Sequence, residues 1–134
     1  MNWEAVLQDA IAFHQAGDLQ RAESSYRAVL REGPAHPLAL HNLGGIAMQL
    51  GHLRMALPLL GRAWELAQHS PEVWLSLARC RYELGDWEAS LALIGQAAAN
   101  GFDAAQFDAL RKALVGEAGG RKIFCVGRNK TGTT

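Results

Sequence analysis

The chain has 134 residues, of which 49% are hydrophobic and 19% are charged. This composition indicates one folded domain or a small repeat array, and it excludes an intrinsically disordered chain. Thirteen basic and thirteen acidic side chains cancel, which argues against a charged surface for nucleic acid or anionic membranes. The charge is unevenly distributed, because residues 1–117 contain all thirteen acids and only nine of the bases.

Cysteine content and hydropathy bear on the cellular compartment. Cys80 and Cys125 cannot form the disulfide framework that small secreted domains need, so we expect a reducing cytoplasm. The first residues lack a basic segment followed by an apolar stretch, and no secretory signal is expected. No apolar run approaches the roughly 20 residues that cross a bilayer, so no membrane partner is expected.

The first 102 residues contain an internal repeat. Gly17, Gly51 and Gly85 are spaced by 34 residues and set its register. Several other columns keep their size class in all three copies. These columns are Val6/Leu40/Trp74, Ala10/Gly44/Ala78, Leu19/Leu53/Trp87, Ala22/Ala56/Ser90, Tyr26/Leu60/Ile94 and Val29/Ala63/Ala97.

Each copy has the pattern of two short helices joined at its glycine. Apolar residues recur at helical spacing on both sides of the glycine, which adopts positive φ without a Cβ clash. Asp18 and Asp86 are suitable N-caps for second helices. Pro37 and Pro71 suit the first position of a helix, and Trp3 holds the matching place in unit one. The two columns of small residues are expected to face each other and let the helices approach closely.

A helix–turn–helix repeat of this length with these columns resembles the tetratricopeptide repeat. The resemblance implies an all-α superhelix, or solenoid, of about three units, at 3–36, 37–70 and 71–102. Asp9 and Arg81 depart from the pattern, because they stand in columns that are otherwise apolar.

One further helix is predicted after the repeats, over 103–116. Asp103 is a suitable N-cap for it. Its apolar residues recur at intervals of three and four: Phe107, Leu110 and Leu114. Repeat arrays need a terminal element that covers the last exposed apolar face, and we interpret this segment as a capping helix. Residues 117–120, rich in glycine, predict a flexible hinge.

The first helix of each unit lines the concave side of such a solenoid, and we predict a groove there for a protein or peptide. The predicted groove residues are Leu7, Ile11, His14, Gln15, His41, Asn42, Gly45, Met48, Gln49, Leu75, Arg79, Tyr82 and Glu83. Tetratricopeptide domains that grip chaperone carboxylates use several Lys, Arg and Asn at set positions, and here only Asn42 matches. Chaperone binding is therefore not expected. The alternative is that the groove packs against a catalytic domain absent from this sequence.

Nothing in the repeats indicates catalysis or a metal site. The five histidines are scattered, and no two stand at i, i+4 with an acid between them. No Ser–His–Asp or Cys–His set is suggested by position, and Cys80 is expected to pack as a small hydrophobe. The repeats therefore predict a binding scaffold that is not an enzyme and that holds no metal or cofactor.

The C-terminal residues have a different pattern. Residues 122–126 are rich in β-formers and predict a short strand, which is followed by a loop with glycine, lysine and hydroxyl side chains. A strand followed by such a loop is typical of phosphate sites in α/β folds. A Walker A loop is disfavoured, because Thr133 follows Gly132 where that motif requires lysine. A disordered basic tail is the structural alternative.

The lysine of this loop, Lys130, precedes Gly132 by two residues, and this resembles the phosphosulfate-binding loop of sulfotransferases. The resemblance implies residues that hold the phosphosulfate of 3′-phosphoadenosine 5′-phosphosulfate (PAPS). They are Arg128, Lys130, Thr131, Gly132, Thr133 and Thr134. It also implies a catalytic role for Lys130, which would stabilise charge on the bridging oxygen during sulfuryl transfer.

The sequence ends inside this motif. The general base, the 3′-phosphate site and the acceptor pocket of that family would all lie beyond Thr134. We therefore expect residues 117–134 to be a hinge and the truncated start of a sulfotransferase domain, so that the chain is the N-terminal region of a longer enzyme. The 134 residues alone are expected to be inactive. The competing reading is a binding module that uses only the repeats.

Overall fold

A computed structural model describes residues 2–121, with the side chains of residue 104 and of 117–121 left undescribed. Within this range the chain is all-α and contains no strand, as predicted. The helices are α1 Trp3–Gln15, α2 Leu19–Glu32, α3 Pro37–Gln49, α4 Leu53–Leu66, α5 Pro71–Glu83, α6 Trp87–Ala99 and α7 Asp108–Arg121, with a 3-10 turn at Ala104–Phe107. None of the described helices is both long enough and apolar enough to cross a bilayer. The predicted strand and phosphate loop lie outside the described residues.

Each of the three repeat units encloses one helical hairpin, and its glycine makes the turn. Gly17, Gly51 and Gly85 have φ of +83°, +82° and +87°, which confirms the predicted positive φ. The amide that follows the glycine then donates back to the first helix. In unit one, for example, the Asp18 amide donates to the Phe13 carbonyl at 2.9 Å. This bond satisfies a carbonyl that the helix end leaves without a partner.

Side chains cap the helix starts as their residue types predict. The Asp18 carboxylate accepts from the Arg21 amide at 3.2 Å, and the Asp86 carboxylate accepts from the Ala89 amide at 3.3 Å. Helices α3 and α5 begin at Pro37 and Pro71. These caps and prolines mark where α2, α3, α5 and α6 start.

The two helices of each unit approach closely through their small residues. The members of both small columns with a side chain are fully buried: Ala10, Ala22, Ala56, Ala78 and Ser90. In unit three, the Ser90 hydroxyl donates to the Ala78 carbonyl on the facing helix at 2.7 Å. In unit two, a Cβ added at Gly44 would lie 2.7 Å from Leu60. The predicted facing of the two columns is therefore confirmed in these units.

The hydrophobic core lies within the units and continues across the boundaries between them. One cluster joins units one and two through residues such as Tyr26 and Leu43. A second joins unit two, unit three and α7, and it includes Trp74. Cys80 lies in this second cluster as a buried free thiol, and burial raises its pKa, so it packs as the predicted small hydrophobe.

The segment after the repeats differs in part from its prediction. Asp103 does act as a cap, accepting from the Ala105 amide at 3.0 Å, but the turn it begins is 3-10 and α7 starts only at Asp108. The residues that cover the array are buried as expected: Phe107, Leu110 and Leu114. Helix α7 then continues through 117–121, where a hinge was predicted. Glycine lowers helix stability by only about 1 kcal/mol relative to alanine. A glycine therefore need not end a helix that has already formed.

Candidate functional site

The first helices of the three units, α1, α3 and α5, line one side of the solenoid. Helix α3 contacts α5 directly, whereas the second helices α4 and α6 are separated by an open groove. A stack whose first helices are closer together than its second helices curves toward the first helices. The solvent-exposed side of α1, α3 and α5 is therefore its concave face.

Most of the predicted groove residues lie at the surface of this concave face. Those at least partly exposed are Ile11, His14, Gln15, His41, Asn42, Gly45, Met48, Gln49, Leu75, Arg79, Tyr82 and Glu83. Leu7 is the exception and corrects the prediction, because it is only 6% exposed and packs in the core of unit one beside Ala10. Helix α1 turns Leu7 inward and leaves Asp9 exposed. Contact of these residues with a partner stays a prediction.

Three polar side chains from units one and two form a chain of hydrogen bonds. The Asn42 amide nitrogen donates to the Tyr26 hydroxyl at 3.0 Å, and this hydroxyl lies 3.5 Å from Nδ1 of His14. A hydroxyl that accepts from Asn42 still has its own proton to donate, and Nδ1 of His14 is within reach of it. Burial raises the pKa of Tyr26 and keeps the phenol neutral. The chain of bonds therefore holds Asn42 and His14 in fixed orientations.

Tyr26 is the member of this network that sequence reasoning missed. It lies on α2 in a column that holds Leu60 and Ile94 in the other units, and it is fully buried. The sequence did contain a signal for this role, because Tyr26 brings a hydroxyl group into a column that is otherwise aliphatic. Such a hydroxyl usually finds a partner when buried.

His41 links units two and three. Its Nε2 lies 2.7 Å from the Ser76 hydroxyl, across the contact between α3 and α5. Burial lowers the pKa of His41, and the opposing effect of the Glu72 carboxylate is smaller. The imidazole is therefore neutral near pH 7, and the centre of the concave face carries no histidine charge there.

The lowered pKa of His41 predicts a pH-dependent stability. Above the ordinary imidazole value of about 6.5, His41 is neutral in both the folded and the unfolded chain. As the pH falls below that value, the unfolded chain takes up the proton first, so the free energy of unfolding decreases until the lower native pKa is passed. Urea titrations from pH 7.5 to pH 5 should show this loss. His41→Gln should lose less stability over the same range, and an unchanged slope would contradict the assignment.

Gly45 and Arg79 occupy the same column as Ile11 in the three units, and they give this column an uneven surface. A Cβ built on Gly45 would meet no atom within 4 Å, so the centre of the column is open. Arg79 is exposed and has neither an ion pair nor a hydrogen bond within residues 2–121. The column therefore offers an apolar residue, an open position and a free cation in succession.

A second groove lies on the opposite, convex side. It has a volume of about 590 Å³ and is lined by α4, α5 and α6, with Gly61, Trp64 and Arg81 in its walls. Arg81, which departs from the repeat pattern, is directed to the Asp86 carboxylate at 3.4 Å. The Trp64 indole N–H is buried without a hydrogen-bond partner in the described part of the chain, and its ring meets Trp74 edge to face at 5.2 Å.

The remaining candidate chemistry is not placed by the structure. Among residues 2–121, no group of three or more His, Cys, Asp or Glu side chains is arranged to hold a metal ion. The sulfotransferase-like loop lies outside the described residues, and with it Arg128 and Lys130 to Thr134. That part of the predicted site stays a prediction from the sequence alone.

The three stacked helical hairpins are those of a repeat solenoid, and comparison with known families agrees. Residues 53–114 match the family model described as Tetratricopeptide repeat. The matched residues run from the start of α4 into α7, and the match agrees with the resemblance to this repeat found in the sequence. No curated protein sequence matches the chain significantly.

Solved structures with the same fold include three informative ones. The TPR2B domain of yeast Sti1, in a complex with pHsp70, is 15% identical with a TM-score of 0.76, over 86% of this chain and 97% of that one. The Yersinia enterocolitica type III secretion chaperone SycD, in complex with a peptide of the translocator YopD, is 15% identical to this chain, with a TM-score of 0.70. That match covers 84% of this chain and 86% of the SycD chain. A double mutant of MamA RS-1 is 23% identical with a TM-score of 0.68, over 73% of this chain. The match covers 55% of the MamA chain, so this chain spans about half its length. At these identities the likeness establishes the fold.

Proposed function

We propose that the chain is a scaffold that binds a segment of a partner protein along its concave face. The observation that carries the proposal is the open position at Gly45, beside polar side chains that already hydrogen-bond to one another. Partly exposed apolar residues, among them Ile11 and Met48, lie on the same face. A concave surface of this kind suits an extended peptide or a partner helix.

Two structural neighbours lend support through their bound partners. SycD is bound to a peptide of YopD, and the TPR2B domain is in a complex with pHsp70. The fold is therefore compatible with peptide binding. The buried free thiol of Cys80 is compatible with a reducing compartment such as the cytoplasm.

The proposal is tested with a matched pair of glycine variants. Gly45 on the concave face and Gly61 on the convex face both lie inside a helix, and an added Cβ would meet nothing at either position. Short random peptides displayed on phage are selected against the chain, and the enriched peptides are then measured by fluorescence anisotropy. Gly45→Trp should weaken binding by at least about tenfold, whereas Gly61→Trp should leave it unchanged.

Other outcomes of this selection would contradict the proposal. Loss of binding in Gly61→Trp but not in Gly45→Trp would place the site in the convex groove. Failure to enrich any peptide over scrambled controls would argue against a peptide-binding surface. Circular dichroism of both variants shows that each is folded.

A second candidate function concerns the longer protein. We infer from the loop at Lys130 to Thr134 that this chain is the N-terminal region of a PAPS-dependent sulfotransferase, with the repeats as a recruiting or regulatory part. Support comes only from the sequence pattern of that loop. Reading the coding sequence beyond Thr134 tests it, because a native stop codon would defeat it.

The same inference gives an expectation for the chain itself. Isothermal titration with 3′-phosphoadenosine 5′-phosphate should detect no binding, because a phosphate loop without the helix that follows it lacks part of its donors. Binding that Lys130→Ala abolishes would instead show that the loop works without a catalytic domain.

A further inference from the structure

We propose that the peptide bound on the concave face carries two recognition residues. One is a bulky apolar residue whose side chain sits over Gly45. The other, about three residues away, is an Asp or Glu whose carboxylate pairs with Arg79. This inference rests on the proposed function and names the class of peptide that the face selects.

The apolar half of the motif follows from the open position at Gly45. The same column holds Ile11 in unit one and Arg79 in unit three, so the missing side chain leaves a recess between two occupied positions. Met48 lies one turn further along α3 on the same side as Gly45, and it is partly exposed. A bulky apolar side chain of the ligand would fill this recess and be removed from water.

The polar groups beside the recess do not favour a polar side chain in the ligand, because they are already hydrogen-bonded within the protein. His41, one turn before Gly45, is neutral and bonded to Ser76 at 2.7 Å, and Asn42 donates to Tyr26 at 3.0 Å. These bonds reduce the gain from a polar side chain placed in the recess. An apolar anchor is therefore favoured at this position.

The acidic half of the motif follows from Arg79. Within residues 2–121, the first helices contribute two arginines, Arg79 and Arg81, and Arg81 is already directed to Asp86. Arg79 is exposed without an ion pair, so it is the free guanidinium of the described concave face. Guanidinium–carboxylate pairs are among the stronger charge-assisted hydrogen bonds.

Two acids on α5 limit how much negative charge the ligand can carry. Glu72 and Glu83 flank Arg79 at seven residues before and four residues after it, and neither pairs with it. Like charges placed close together are destabilising. A single carboxylate opposite Arg79 is therefore favoured over a run of acids.

The spacing of the two features sets the spacing in the peptide. Gly45 and Arg79 hold equivalent positions on α3 and α5, which are in direct contact. Axes of packed helices are about 8–10 Å apart, and an extended chain advances about 3.3 Å per residue. An extended peptide that crosses from one helix to the next therefore places the apolar residue and the acid about three residues apart.

The test compares peptides selected on the wild-type chain with peptides selected on charge-reversal variants. The peptides are displayed with their C-terminus covered, so that a selected carboxylate belongs to a side chain. The wild type should enrich a bulky apolar residue with Asp or Glu about three residues away. Arg79→Glu should weaken the wild-type peptides at least about tenfold and select Lys or Arg at the acidic position. Arg62→Glu is the matched control and should leave the motif unchanged. Arg62 is an exposed arginine of the convex groove that, like Arg79, has no ion pair in the described chain.

The outcomes separate this inference from the proposed function. Peptides that Gly45→Trp displaces but that show no acid preference, or whose acid preference survives Arg79→Glu, would overturn the inference and leave the proposed function standing. An acid preference that reverses with Arg62→Glu would overturn it as well. Selection of no peptide at all would defeat the proposed function together with the inference.

Discussion

Replacing Trp74 by alanine is expected to lower the free energy of unfolding by about 3–5 kcal/mol. Trp74 is 2% exposed and is the largest of the fully buried side chains. Its ring meets Trp64 of α4 edge to face at 5.2 Å and Phe102, after α6, at 5.8 Å. Its indole N–H donates to the Gln68 carbonyl at 2.7 Å. The substitution therefore opens a cavity at a point where unit two, unit three and the capping segment all meet.

Urea unfolding followed by far-ultraviolet circular dichroism measures the effect of Trp74→Ala. Trp3→Ala is the matched control, because Trp3 starts α1 and is only partly buried, against the ring of His36 at 5.8 Å. The control should lose clearly less stability, since less apolar area is exposed. Equal losses in the two variants would contradict the place of Trp74 as the main buried side chain of this cluster.

The repeat architecture could be predicted because it depends on contacts that recur at one period. The glycines of the 34-residue register all have the positive φ expected of them, and Asp18 and Asp86 cap the helices as predicted. Each of these features is local, so residue type and spacing were enough. The end of the array was less predictable, because nothing repeats there. The 3-10 turn at Ala104–Phe107 and the continuation of α7 to Arg121 depend on how the last segment packs.

The candidate site was predictable only in outline. The period indicates which helices face the groove, and most of the predicted residues are exposed there. It does not indicate which side chains bond to each other, because those partners are far apart in the sequence. Tyr26 reaches Asn42 across 16 residues, and His41 reaches Ser76 across 35. The buried position of Leu7 was missed for a related reason, since the rotation of α1 is set by what α1 packs against.

Two adjacent glycines of α3 are expected to respond to alanine with opposite signs. A Cβ at Gly44 would lie 2.7 Å from both Cγ and Cδ2 of Leu60, and Leu60 is fully buried, so its side chain cannot swing into solvent. Gly44→Ala should therefore destabilise by about 1–3 kcal/mol, because the overpacking exceeds the gain in helix propensity. A Cβ at Gly45 would meet nothing within 4 Å. Gly45→Ala should therefore stabilise the protein, by up to about 1 kcal/mol.

Each glycine serves as the control for the other, because both lie in the middle of the same helix and receive the same methyl group. Urea titrations of Gly44→Ala and Gly45→Ala under one set of conditions give the two signs directly. A stabilising Gly44→Ala would mean that the first and second helices of unit two are not held at the close approach that its small residues allow. A destabilising Gly45→Ala would mean that the recess is filled by the protein itself, and no room would then remain there for an apolar side chain of a ligand.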